Sequence, residues 1–592
     1  MKIFAVSLII LINSCWLLSQ IKSDDWLTYY EKSGCKRTPR YSETIDYCKK
    51  LEKASSWIKV LTFGKSPEGR DLVLVVASKD KAFTPQKAHR TGKAILLVQN
   101  GIHAGEIDGK DACLMLLRDI AITKTKEMLL NHVTLLVIPI YNVDGHERFG
   151  KYNRINQNGP EEMGFRVTAQ NLNLNRDYMK ADAPETQAWL KMFNEWLPDF
   201  FIDAHVTDGA DYQHIVTYGI ERHQNLAEPI RSWVNDKYLP MISNLKTNGV
   251  PVAPYVSLRD NLDPLKGLQS GVASPRLSTP YVAIQNRPAL LIETHMMKDY
   301  KSRVEGTYQT IVATMELLNR EYASLSEAVK QTDEQTINNL ERQIPIGFKT
   351  LDVPSGNFHY LGFKQRNEKS NISGGTRIIY TKEPFEADVP IYDSVVVSKV
   401  VEPPTAYLIP QQWQQVINRL KMHGVKIENL KEPVELDVEM YRFSNVKWQQ
   451  TPYEGRHPVT YSVEKVQEKK LFPAGTKVVF LNQRTARVII NALEPEAPDA
   501  FVAWGFFDAI FEQKEYTEDY VMEPIAEEML AKDSVLKKEF ETKLISDSTF
   551  AKNPFARLNF FYQRSPWWDK NVNLYPIARL VKNVSLKLEG DR

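Results

Sequence analysis

Short, almost uninterrupted apolar runs recur through the first half of the chain: Asp71–Ala77, Ala94–Val98, Val133–Ile140, Asp199–Ala204 and Ala289–Glu293. A strand covered on both faces shows no alternation, so such runs predict buried strands. Between them, apolar residues return every three or four positions over Ile107–Ile122 and Pro184–Trp196, which predicts helices. Strands alternating with helices predict an α/β domain: a mixed, mostly parallel sheet flanked by helices. The turn Gly64-Lys65-Ser66-Pro67-Glu68-Gly69 predicts a hairpin ahead of the first long run.

Tyr300–Leu340 reads as a further helix, with Ile311, Met315 and Leu318 on one face. The pattern changes at Gln343-Ile344-Pro345. Beyond it the chain is rich in Val, Tyr, Thr and Pro, with strands predicted at Ser394–Val401, Val434–Phe443 and Lys477–Phe480 and a helix at Pro410–His423. A charged helical tail is expected over Tyr516–Ile545. The expected organisation is a leader at 1–23, a catalytic α/β domain at 24–340 and a β-rich C-terminal domain at 341–592 with a helical tail. Trp413, Trp504, Trp567 and Trp568 of that second domain fit core packing better than sugar binding.

The leader begins Met1-Lys2, continues as an apolar run from Ile3 to Ile12, and turns polar by Lys22-Ser23-Asp24-Asp25. A basic start, short apolar core and small residue near the end are the marks of a secretory signal peptide. The run is short for a bilayer span and is interrupted by Asn13 and Ser14. A lipid anchor at Cys15 is disfavoured because Trp16-Leu17-Leu18 continues the apolar stretch past it. The mature chain is therefore expected outside the cytoplasm, secreted or periplasmic, without a stable membrane span.

Composition narrows the partners. Lys and Arg number 75 against 73 Asp and Glu, a net charge of +2, which excludes bulk charge attraction to nucleic acid. Hydrophobic residues at 43% can build large cores, so the chain is not disordered as a whole. Four cysteines in 592 residues exclude a disulfide-stapled scaffold, although Cys35 and Cys48 could pair outside the cell. Cys113, in an apolar helix, reads as a buried free thiol.

One constellation carries chemistry. His103 and Glu106 follow the strand Ala94–Val98, His205 ends Asp199–Ala204, and Glu293 ends Ala289–Ile292. Sites on open α/β sheets gather beyond the carboxyl ends of strands, so three strands deliver two imidazoles and two carboxylates to one edge. Two imidazoles and a carboxylate suit zinc, with its fourth position left for water and a separate carboxylate, Glu293, to take the proton. Singly, each residue reads as well as a structural histidine or a salt-bridged glutamate. Asn175-Arg176, in Asn171–Asp177, offers a planar fork for a carboxylate, or a loop held by asparagines.

His103-x-x-Glu106, Asn175-Arg176, His205 and Glu293, in that order, resemble the zinc metallocarboxypeptidase family, the carboxypeptidase A-like enzymes. Gly64-x-Ser66-x-Glu68-Gly69-Arg70 resembles the family's early hairpin, and Asn142-Val143-Asp144-Gly145 its Asn-Pro-Asp-Gly turn with Val143 in place of Pro. The resemblance runs from about Trp57 to Leu318. It implies a single zinc ion held by His103, Glu106 and His205, Glu293 as general base, and Asn175 and Arg176 on the C-terminal carboxylate of a peptide substrate. It also implies an arginine for the oxyanion, with Arg154 the candidate and Arg148 its rival, and a cleft tyrosine, for which Tyr281 is the candidate. Asn173 stands where the family often has an Asp bonded to a zinc histidine; its carbonyl can accept the same bond without the charge.

The implied activity is hydrolysis of C-terminal peptide bonds. A zinc hydrolase of the same scaffold acting on peptidoglycan stem peptides or N-acyl amino acids is the alternative, since those substrates also carry a free carboxylate. The resemblance implies that selectivity resides around Ser270–Ser278, where Arg276 either favours an acidic terminal residue or pairs with a protein carboxylate. The oligomeric state is not legible in the sequence.

Overall fold

The structure, a computed structural model, describes residues 23–245 and 252–590; the leader read over the first residues, Cys15 included, lies outside them. The early strands are β1 (Ile58–Lys65), β2 (Asp71–Ala77), β3 (Ala94–Asn100), β4 (Val133–Ile138), β5 (Phe200–Thr207), β6 (Val216–Ile220) and β7 (Val252–Pro254). Two short strands, β8 (Ser257–Leu258) and β9 (Leu268–Gln269), precede β10 (Ala289–His295). All but β8 and β9 form one eight-stranded sheet in the order β1-β2-β4-β3-β5-β10-β6-β7. The central strands β4, β3, β5 and β10 are parallel, while β1, β2 and β6 pair antiparallel at the flanks.

Period-two geometry explains why the central strands are apolar throughout. Ile95, Leu97, Leu136, Ile138 and Phe201 point to one face, with the helix Pro184–Trp196. Leu96, Val98, Leu135, Val137 and Ile202 point to the other, with the helices Tyr41–Ala54, Asp108–Ala121 and Tyr300–Asn338. Cys48 and Cys113 are buried in that second layer, and Cys35, Cys48 and Cys113 are all free thiols, so the Cys35–Cys48 pairing does not form.

The rest of the chain adds β11 (Ile344–Thr350), β12 (Gly356–Lys369), β13 (Thr376–Tyr392), β14 (Val395–Val401), β15 (Ala406–Ile409), β16 (Glu428–Asn429), β17 (Val434–Trp448), β18 (Val459–Phe472), β19 (Lys477–Phe480) and β20 (Ala578–Leu580). Six of them make a sheet in the order β16-β19-β15-β20-β17-β18. The helical tail, Asp519–Lys532, Ser534–Ser546 and Pro554–Tyr562, packs around its own Phe540, Phe550 and Phe560. Trp413 and Trp504 pack in the interior and Trp568 in the tail cluster, whereas Trp567 is exposed.

Two features join this region to the catalytic sheet. Val416, Ile417 and Leu420 of the helix Gln414–Met422, together with the helix Ala486–Leu493, complete the core that covers the Pro184–Trp196 layer. The long hairpin β12–β13 extends β8 and β9 into a four-stranded sheet, through a parallel pairing of β13 with β9. Among the described residues no helix is long and apolar enough to cross a membrane.

Because the two regions share one apolar layer, a chain ending at Asn339 leaves Leu190, Phe193 and Trp196 facing water. Such a truncation is expected to aggregate, or to bind a hydrophobic dye and melt without a cooperative transition, while the full chain melts cooperatively. Dye binding and thermal circular dichroism check this; a soluble fragment melting near the full-length temperature would refute it.

Candidate active site

Register brings the predicted residues together. β5 and β10 pair in parallel with His205 opposite Glu293, and Asn100 at the end of β3 pairs with Ala204. The chain turns after Asn100 into His103, whose carbonyl accepts the Glu106 amide at 2.8 Å, and the helix Asp108–Ala121 begins directly beyond. Asp108 at that helix start is ion-paired with buried Arg303 at 2.9 Å and accepts the Thr294 hydroxyl at 2.7 Å, which locks it to the residue after Glu293.

One ligand atom each from His103, Glu106 and His205 lies within 4.8 Å of the others, and all three residues are buried. Both imidazoles turn Nδ1 toward Glu106 Oε2, at 3.1 Å from His103 and 3.0 Å from His205. Their other nitrogens are held from behind. His103 Nε2 bonds Asn173 Oδ1 at 3.1 Å, and His205 Nε2 bonds Asp203 Oδ2 at 2.9 Å. These outer bonds fix the tautomers that leave Nδ1 free to ligate. Asn173 Oδ1 also accepts the Asn175 amide at 3.0 Å, capping the turn that carries Asn175 and Arg176.

Glu106 is held on its other oxygen by Arg154 at 2.6 Å and Arg166 at 3.4 Å. Gly105 permits this: a Cβ there would sit 2.7 Å from Arg154 Cγ and from the Gly164 carbonyl. Burial favours neutral His103 and lowers it to about 4, against the pull of Glu106. Burial would lower His205 too, but Asp203, Glu106 and Glu293 outweigh it and hold the imidazole well above its ordinary range. Glu106 is buried, yet His103, His205 and Arg154 keep it well below the usual carboxylate range. The cluster thus draws in positive charge. Burial pushes Glu293 up to about 8, with Glu106 and Asp203 adding to the shift and His205 opposing it, and its buried Oε2 has no hydrogen-bond partner among the described residues.

These groups open onto a cleft of about 770 Å³ lined by His103, Glu106, His205, Glu293, Asn175 and Arg176. Asn175 Oδ1 accepts the Ser278 amide at 3.0 Å, and Arg176 Nη1 donates to the Asn175 carbonyl at 2.6 Å. Asn357, Phe358, Ile391 and Asp393, all from beyond residue 341, also line the cleft.

Two candidates fall elsewhere. Arg154 is 7% exposed at its side chain and engaged with Glu106; the cleft arginine beside Glu106 is Arg166, whose side chain is 40% exposed. No local pattern separates it from Arg154 in the sequence, because the stretch after Gly145 is irregular. Arg148, the rival, stacks over the Phe165 ring at 4.0 Å. Tyr281 is fully buried in the helix Ser278–Ile284, its hydroxyl 2.7 Å from His423 Nδ1. The cleft tyrosine beside the base is Tyr255, which feels the charge of Glu293. Arg276 pairs with buried Asp499 at 2.7 Å, which settles its two readings in favour of a protein carboxylate.

The two other family-like segments meet in space. Asp144 accepts the Ser66 hydroxyl at 2.7 Å, the Glu68 amide at 3.1 Å and Arg70 at 2.6 Å, so the turn at Asn142–Gly145 clamps the early hairpin.

Residues 44–212 match the zinc carboxypeptidase family. The chain is 26% identical over 487 residues to carboxypeptidase 2 of Trichophyton rubrum, covering 79% of this chain and 84% of that protein. It is 24% identical over 484 residues to carboxypeptidase 2 of Trichophyton equinum, with the same coverage. Among solved structures it is similar to a metallo-carboxypeptidase from Burkholderia cenocepacia, at 14% identity and a TM-score of 0.35, covering 47% of this chain and 69% of that one. The order of the motifs and the mixed sheet that presents them agree with the match: residues 44–212 are similar to the zinc carboxypeptidase family, within a chain that resembles carboxypeptidase 2 over most of its length.

Proposed function

We propose that this protein is an exported zinc metallocarboxypeptidase that removes residues from the C-terminus of peptides. The observation that carries the reading is the convergence of two Nδ1 atoms and Glu106 Oε2 beside the unpartnered Glu293 carboxylate, in one cleft with Asn175 and Arg176. The apolar leader supports export.

The donor set fits one zinc ion: two neutral-capable imidazoles with outer bonds in place and one carboxylate. Zinc bound by His103, Glu106 and His205 would supply Lewis acidity, polarising the scissile carbonyl and making water a nucleophile at neutral pH. Glu293 takes the proton of the attacking water and passes it to the leaving amine; a buried carboxylate of raised basicity suits that transfer. Arg166 reaches into the cleft beside Glu106 and donates to the oxygen that becomes negative. Arg176 and Asn175 grip the free carboxylate, which restricts cutting to chain ends. Tyr255 closes the side of the cleft next to Glu293.

Mass spectrometry of a mixed peptide library after incubation with the zinc-loaded protein tests the reading; stepwise loss of C-terminal residues alone is expected. Internal cuts would contradict it. Inertness toward peptides with turnover of muropeptides or N-acyl amino acids would transfer the site to those substrates.

Three variants separate the roles. Glu293→Gln is expected to keep its metal and lose about 10²-fold or more in kcat. Arg166→Ala should lower kcat by roughly 10²–10³-fold, the usual loss of one oxyanion donor. Asp203→Asn is expected to weaken zinc binding by roughly 10–100-fold in chelator competition, because His205 loses the charged partner behind it.

A further inference from the structure

We infer that the cleft selects a basic C-terminal residue, with Glu221 receiving the ammonium or guanidinium of a terminal lysine or arginine. The inference rests on the carboxypeptidase reading and names the side chain that reading leaves open.

Glu221 follows β6 directly and lines the cleft. Its carboxylate accepts Thr279 Oγ1 at 3.2 Å and the Asn225 amide, and among the described residues it has no salt bridge. Glu221 is half-buried, and a carboxylate partly drawn out of water gains most when a cation answers it. The nearest basic neighbour in sequence, Arg222, is already paired with Asp393 at 2.7 Å. Arg276, on the loop ahead of Ser278, is neutralised by Asp499, and His223, which lines the cleft beside Glu221, is kept neutral by burial, which lowers it to about 4. With no cationic partner among the described residues, Glu221 is open to a cation that reaches it through the cleft. Burial alone already holds Glu221 above the ordinary carboxylate range.

Position supports the same occupant. Ser278 donates its amide to Asn175, in the pair that would grip the substrate carboxylate, and the next residue, Thr279, donates to Glu221. Adjacent Cα atoms are about 3.8 Å apart, so Asn175 and Glu221 are tied to neighbouring residues of the same short stretch of cleft wall. Leu239, Pro254 and Leu291 give the cleft apolar wall. Apolar walls leading to a terminal carboxylate match an alkyl stem with a cationic head.

Blocked tripeptides that differ only in their last residue (Arg, Lys, Leu, Phe or Glu) test the assignment. The expected result is a kcat/KM for Arg and Lys at least tenfold above Leu, with that ratio falling at least tenfold in Glu221→Gln. A preference for Leu or Phe, or an unchanged ratio in the variant, would overturn the role of Glu221 and leave the carboxypeptidase reading intact. Release of no terminal residue at all would instead overturn that reading. Calorimetry on the zinc-loaded Glu293→Gln protein decides the role of Glu221 in that case, and equally if Glu221→Gln does not fold. There, at least tenfold tighter binding of the Arg-ended than of the Leu-ended peptide supports Glu221, and equal binding removes it.

Discussion

The site is organised around one carboxylate. Glu106 turns Oε2 toward two imidazoles and the Val206 amide, and Oε1 toward Arg154 and Arg166. Those groups come from the end of β3, from β5 and from the irregular chain between β4 and β5. Arg154, buried opposite the imidazoles, helps Glu106 remain ionised in the interior, where an unpaired charge would be expelled or neutralised. Its position is fixed in turn by the adjoining helix, which Asp108 ties to Arg303 and Thr294. The sheet could hold its strands in register without Glu106, but the imidazoles would lose the common point toward which they face.

Function and scaffold are divided unevenly along the chain. The matched segment 44–212 contains the candidate metal ligands and the Asn-Arg pair, whereas Glu293 and the wall around Ser278 come from later. The region beyond residue 341 is not a separate body hung on the end. It completes the layer under Pro184–Trp196, and its hairpin β12–β13 and the residues beside it reach the cleft. His423 holds the Tyr281 hydroxyl, so even the helix carrying Ser278 and Thr279 is buttressed from that side.

What was legible in the sequence follows from physical range. β2 and the helix Pro184–Trp196 begin and end where the apolar pattern does, because local periodicity alone sets them. The metal-facing residues were legible because strand ends are marked by where apolar runs stop. The hairpin β12–β13 was not, since few of its residues are buried and only a small core imprints a pattern on them. Tyr281 was misplaced because distance from Glu293 along the chain says nothing about which side of a fully buried helix faces the cleft. Arg166 was passed over for Arg154 because the irregular segment after Gly145 has no period from which to count. The shared core joins residues hundreds of positions apart, which no local pattern encodes.

The Arg276–Asp499 pair joins a loop of the cleft wall to a residue more than two hundred positions later in the chain. Asp499 is wholly buried and also accepts the Arg276 amide at 2.9 Å, so it sets the backbone of that loop as well as answering its charge. The geometry of the cleft wall is therefore encoded in two distant stretches of the sequence. A relative that changes the residue at 499 alone would carry an unchanged cleft lining on a displaced loop, and grafting the lining without its buried counter-charge would transfer the residues of the wall but not their geometry.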